Sequence, residues 1–218
     1  MMLYAAGSAR DVSVRAERLC GLTWFGQLLW FADAAPEHVV GIDPYSAETM
    51  RTIACPGLRT GLAAFNGGLV YAAAPDDHLV IVDPTEGRVV GEARNPRPGE
   101  PVSAMEGARN GLWLGYRDLL DLRAGTDFSR ITSVGVRGEV SGIAVTDRYL
   151  VYADRLAEDV AIVDPVMEQV ILHINVHGRP TGLAWDGSRI WYCDSAASRL
   201  RAIDVPGIVR QVCQISTA

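Results

Sequence analysis

The stretch Arg179-Pro180-Thr181-Gly182-Leu183-Ala184-Trp185-Asp186-Gly187-Ser188-Arg189-Ile190-Trp191-Tyr192-Cys193-Asp194 reads as two short strands and the turn that joins them. Apolar and aromatic residues dominate both arms, and Asp186-Gly187-Ser188 supplies a turn in which glycine takes a positive φ without steric cost. Outward from this stretch, its parts recur. Gly21-Leu22-Thr23-Trp24, Gly61-Leu62-Ala63-Ala64 and Gly142-Ile143-Ala144-Val145 copy the first arm, with a step of 40 from Gly21 to Gly61 and again from Gly142 to Gly182. A missing copy falls near residue 102, where Val102-Ser103-Ala104-Met105 stands without the glycine. The second arm returns as Leu29-Trp30-Phe31-Ala32-Asp33, Val70-Tyr71-Ala72-Ala73, Leu112-Trp113-Leu114-Gly115 and Val151-Tyr152-Ala153-Asp154. A third landmark, Ile42-Asp43-Pro44, Val82-Asp83-Pro84, Val163-Asp164-Pro165 and Ile203-Asp204-Val205, closes the same segments, with Leu120-Asp121-Leu122 as its weak copy.

Three landmarks in one order, five times over, make a repeat of about forty residues, each copy four short strands long. Such a unit cannot bury both faces alone; stacking units around an axis does so and leaves short, protected edges. The fold class that follows is all-β: a five-bladed β-propeller of four-stranded antiparallel blades, closed near the termini, as one domain over residues 1–218. The blades fall at about 21–60, 61–101, 102–140, 141–181 and 182–218, with 11–19 as an additional strand at the seam. Both 11–19 and 208–215 read as outer strands, so one blade is expected to be built from both ends of the chain.

The units resemble the six- and seven-bladed repeats of the NHL, YVTN, SMP-30/gluconolactonase and virginiamycin B lyase families, through the Pro180 to Asp194 stretch above all. The resemblance covers nearly the whole chain and is weakest from Val102 to Arg137. It implies a propeller. For activity it implies a range: lactonases, lyases, condensing enzymes and interaction scaffolds, with catalytic groups carried on the loops around the axis.

The charge balance narrows the partners. A formal net charge of -6 and a pI of about 5.2 disfavour nucleic acid, since phosphate backbones would be repelled. No window approaches the eighteen consecutive apolar residues of a membrane span. The N-terminal stretch lacks a basic segment followed by an apolar one, so a cytoplasmic protein is expected. Cys20, Cys55, Cys193 and Cys213 have no metal-ligand spacing and read as thiols.

Candidate chemistry lies on the face where two kinds of loop open: those entering each first strand and those leaving each second strand. The entering loops carry Arg18 and Cys20, Arg59 and Thr60, Glu100, Glu139 and Ser141, and His177, Arg179 and Thr181. The leaving loops carry Asp33, Asp154 and Asp194, with Ala73 and Gly115 read as the other two copies. Glu139, His177 and Asp154 are the candidate proton-transfer groups. Arg18, Arg59, Arg179, Asp33 and Asp194 are candidate substrate contacts, with Trp24 and Trp185 as a pocket floor and Tyr116 in the divergent blade. The three aspartates have a second reading, as ties to loop N–H groups. Calcium or magnesium would suit the carboxylates, but the asparagines that the SMP-30 resemblance implies are missing, so no cofactor is expected. Two functions stay open. One is an enzyme of lyase, cyclising, condensing or lactone-hydrolysing type, acting on a small molecule in an axial pocket. The other is a non-catalytic scaffold for a ligand or a protein partner.

Overall fold

The computed structural model describes residues 3–5 and 9–203, and throughout them the chain is all strand and turn. Five antiparallel four-stranded sheets stand around one axis. Blade 1 is Leu19–Phe25, Leu28–Asp33, His38–Ile42 and Thr49–Ala54. Blade 2 is Leu58–Phe65, Gly68–Ala73, His78–Val82 and Val89–Ala93. Blade 3 is Ala104–Ala108, Gly111–Gly115, Leu119–Ala124 and Arg130–Gly135. Blade 4 is Val140–Val145, Leu150–Asp154, Asp159–Asp164 and Gln169–Asn175. Blade 5 takes Pro180–Trp185, Ile190–Asp194 and Arg199–Ile203 from the end of the chain and Arg10–Ser13 from its start. The segment expected as an additional strand over 11–19 therefore supplies the fourth strand of blade 5, and the rest of it becomes the loop into blade 1. Leu3–Ala5 adds a fifth strand, parallel, to the outer edge of blade 4. The expected strand at 208–215, Cys213 and the end of the third landmark at Asp204 lie outside the described residues.

Burial follows the repeat. Each gap between neighbouring blades holds one apolar cluster, so the core is five wedges rather than a single mass. The aromatics of the second strands fill them: Phe31 and Trp191 between blades 5 and 1, Tyr71 between 1 and 2, Tyr152 between 3 and 4, Tyr192 between 4 and 5. Fully burying an aliphatic or aromatic side chain of this size is worth about 1.5–3 kcal/mol. The Asp-Pro landmark is turn chemistry: the carboxylates of Asp43, Asp83 and Asp164 accept the N–H two residues on, at 2.6, 2.7 and 2.9 Å.

The axis explains the repeated glycine. A β-carbon at Gly21 would sit 2.6 Å from the carbonyl carbon of Gly61, and one at Gly182 would sit 2.8 Å from that of Gly21. Five inner strands this close leave no room for side chains at those points. Strand pairing puts Ala104, opposite Gly115, at the place of Gly21, opposite Ala32. The missing glycine is thus replaced at 104, not 102, and Met105 lies against Gly61 instead. Below this level Leu22, Leu62, Met105, Ile143 and Leu183 close the axis, and no space the size of a water molecule remains.

Candidate functional site

The axis opens on one face, called upper here, into a cavity of about 420 Å3. Its floor is made by the residues just before the repeat glycine: Cys20, Thr60, Ser103, Ser141 and Thr181, one small hydroxyl or thiol from each blade. These side chains stitch blade to blade. Thr181 Oγ1 donates to the Leu19 carbonyl at 3.0 Å, Ser141 Oγ to the Pro180 carbonyl at 2.6 Å, and Thr60 Oγ1 to the Ser103 carbonyl at 3.4 Å. Ser103 Oγ is buried and has no hydrogen-bond partner among the described residues. Leaving a buried hydroxyl unpaired costs about 1–3 kcal/mol. Burial pushes the Cys20 thiol up to about 12, against the pull of Arg18, so it stands as a neutral thiol at neutral pH.

Charge enters from the rim. Arg18, Arg59, Arg155 and Glu139 line the cavity, three guanidiniums against one carboxylate. Arg155, half exposed, donates to the more buried Glu139 in an ion pair. Arg59, 48% exposed, pairs with buried Asp77 at 3.0 Å. Burial raises the Asp77 carboxyl above its ordinary range, against the pull of Arg59 and of the Val102 N–H. The Arg18 guanidinium donates to the Ala34 carbonyl at 3.1 Å and remains exposed.

Of the residues singled out from sequence, Arg18, Arg59 and Glu139 lie on the rim of this mouth and Cys20, Thr60, Ser141 and Thr181 in its floor, and the others lie elsewhere. Asp33 accepts the N–H groups of Glu17 and Arg18 at 2.9 and 2.8 Å. Asp194 accepts the Arg179 and Ala196 N–H groups at 3.2 and 3.1 Å and pairs with Arg201 at 3.0 Å. Asp154 accepts from Leu156 and Ala157 at 2.9 and 3.1 Å and lies against Gly138, where a methyl would collide with it. These buried carboxylates bond loop N–H groups, which is the second reading offered for them, and none lines the mouth where a catalytic Asp154 or the substrate contacts Asp33 and Asp194 were expected. His177 and Arg179 sit on the exposed loop that Asp194 holds and do not line the cavity. The His177 carbonyl accepts from the Tyr192 hydroxyl.

Trp24 and Trp185 pair with Leu29 and Ile190, beside the hairpin turns at the lower end of their strands. They pack into the wedges around blade 5 and cannot floor an upper pocket. Tyr116 is 1% exposed and bonded to Asn95 Oδ1 at 3.1 Å, so it is a core residue rather than a substrate contact. Pairing also shows that Tyr116, not Gly115, occupies the place of the strand-ending aspartate. Ser103 and Arg155 are missed by sequence reading: the first because its blade lacks the marking glycine, the second because it follows Asp154 without any repeat-wide counterpart.

Among the described residues, no group of three or more His, Cys, Asp or Glu is arranged to hold a metal ion, and no helix is long and apolar enough to cross a membrane.

The sequence matches no protein-family model and no curated protein. Solved structures share the fold. A glutaminyl cyclase from Myxococcus xanthus superposes with a TM-score of 0.77 at 14% identity, covering 92% of this chain and 96% of that one. A chain of a mitotic checkpoint complex gives 0.60 at 11% identity, covering 93% of each. The β-propeller domain of Cps50 (Swd1) from Myceliophteria thermophila gives 0.58 at 10%, covering 92% and 99%. Identities this low carry the propeller architecture and no activity.

Proposed function

We propose that the upper mouth binds a small molecule bearing a carboxylate or other anionic group, and that Glu139 transfers a proton on it. The observation behind this reading is the convergence on one 420 Å3 cavity of three guanidiniums, one carboxylate and a small hydroxyl or thiol from every blade. Arginine forks suit carboxylate geometry, while the floor hydroxyls of Thr60, Ser141 and Thr181, whose protons go to carbonyls of neighbouring blades, are left as acceptors. An anion that takes the Arg155 guanidinium releases Glu139 from its ion pair, which leaves a carboxylate beside the ligand as general base. The proton it removes returns to the leaving or closing group. A lyase, a cyclising step or lactone hydrolysis needs little beyond this placement.

The second reading, a non-catalytic ligand-binding or protein-interaction scaffold, draws on the closed axis, which keeps the cavity shallow. Turnover separates the two. A thermal-shift panel of small carboxylates and phosphates selects ligands, which are then assayed for conversion with wild type and Glu139→Gln. The enzyme reading expects Glu139→Gln to bind the ligand and to lose roughly 100-fold or more in kcat. Ligands that bind and are never converted support the scaffold reading.

A further inference from the structure

A second cavity, of about 990 Å3, opens beside the mouth between blades 2 and 3. Arg59 and Pro101 line both. One wall is the segment from Arg94 to Pro101, which the divergent blade holds in place. Tyr116 donates to Asn95, Asn95 Nδ2 donates to the Glu100 carbonyl at 2.8 Å, and the Arg97 guanidinium lies 5.2 Å over the Tyr116 ring. Arg97 also reaches Asp121, a fully buried carboxylate, at 3.6 Å. Burial works to raise the Asp121 carboxyl, but Ser133 and Arg123 outweigh it and hold it below its ordinary value, so this anchor stays charged. The wall is therefore built rather than left as a slack connection.

The two cavities have opposite signs. The mouth has three guanidiniums against one carboxylate. The groove has Asp76, Asp77, Glu92 and Glu100 against Arg59 and Arg94, with His78 between them. Asp77 is spent on Arg59 and Glu100 on Arg97. The carboxylates of Asp76 and Glu92 are exposed and have no ion pair or hydrogen bond among the described residues, and they outnumber Arg94, the remaining groove guanidinium without an ion pair among them. The threshold between the cavities is the Arg59–Asp77 pair, a cation toward the mouth and an anion toward the groove.

We infer that the groove is a second subsite, for the cationic end of an elongated zwitterion whose anionic end occupies the mouth. The inference rests on the proposed anion-binding role of the mouth and extends it to a substrate class: a carboxylate joined by a flexible spacer to an ammonium or guanidinium group. Asp76 and Glu92 supply the counter-charge at the far end, and Arg59 contacts the middle of the ligand from the threshold.

The test is calorimetric titration at low salt with three matched series: ω-amino carboxylates of four to eight carbons, the plain carboxylates and the plain amines. The expected result is that at least one amino carboxylate binds about fivefold more tightly than its plain carboxylate, the gain expected of one or two exposed ion pairs. Asp76→Asn combined with Glu92→Gln removes that advantage and leaves the plain carboxylate unchanged, while Arg18→Ala weakens both. Equal affinity for amino and plain carboxylates overturns the second subsite and leaves the mouth as proposed. Binding of plain amines, lost in the double variant, with no binding of any carboxylate keeps the groove as a cation site and overturns the zwitterion and the anion-binding mouth together.

Discussion

Blades 5 and 3 solve the same geometric problem by different means. In blade 5, Gly182 lets the inner strand reach the axis, and Asp194 ends the second strand and ties down the loop that enters it. In blade 3, Ala104 stands at the glycine position, Tyr116 at the aspartate position, and the glycine reappears lower down as Gly107, pressed against the Ala64 carbonyl. Both blades tie down the loop that enters them. In blade 5 a carboxylate takes the N–H groups of a short loop; in blade 3 Tyr116 takes a longer entering segment through Asn95, and that segment forms the wall of a groove. Departure from the repeat here exchanges the carboxylate tie for a phenol and lengthens the loop into a surface a ligand can use.

Substitutions at equivalent places sharpen this contrast. Asp194→Ala strands two loop N–H groups and leaves Arg201 with Asp11 as its remaining partner; a loss of about 3 kcal/mol in urea unfolding is expected. Gly182→Ala forces a methyl against the Gly21 backbone and should cost about 2 kcal/mol, whereas Ala104→Gly in blade 3 should cost under about 1 kcal/mol. Equal costs for these two would mean that blade 3 approaches the axis as the others do.

Glu106 offers a change of opposite sign. Its carboxyl is buried on the inner strand of blade 3, with Thr23 Oγ1 donating to it at 3.3 Å, and burial holds it well above the ordinary glutamate range. The folded state therefore binds the proton more tightly than the unfolded state does. This contribution to stability is full below about pH 4 and is lost as pH rises toward the raised folded value. Glu106→Gln keeps an acceptor for Thr23 and carries no charge. It should raise the melting temperature at pH 7 by a few degrees and flatten the pH dependence, while a parallel loss at every pH would contradict this. The smallest effect is Tyr116→Phe, about 1 kcal/mol for one hydrogen bond, with faster hydrogen exchange over 94–101 and none over the blade 5 loops.

The architecture was legible because glycine, aromatic and Asp-Pro landmarks each answer a local demand that recurs in every blade. The mouth was legible in part. Arg18, Arg59 and Glu139 stand out as charges next to repeat positions, and four of the five floor residues can be read before their glycines. Ser103 cannot, because Ala104 hides the register. The strand-ending aspartates carried two readings from sequence, substrate contact and loop tie, because a carboxylate near an axial face looks the same in both; the backbone N–H groups around Asp33, Asp154 and Asp194 favour the tie. The groove was invisible, since it depends on how Tyr116 and Asp121 hold the loop that enters blade 3.

The most direct test of the account is amide chemical-shift mapping of the full chain during titration with a carboxylate ligand from the thermal-shift panel. The account predicts shifts concentrated at residues 18–20, 59–60, 101–103, 139–141, 155 and 181, the rim and floor of the upper mouth, and their disappearance in Arg18→Ala. Shifts centred on the lower hairpin turns beside Trp24 and Trp185, or unchanged by that substitution, would contradict it.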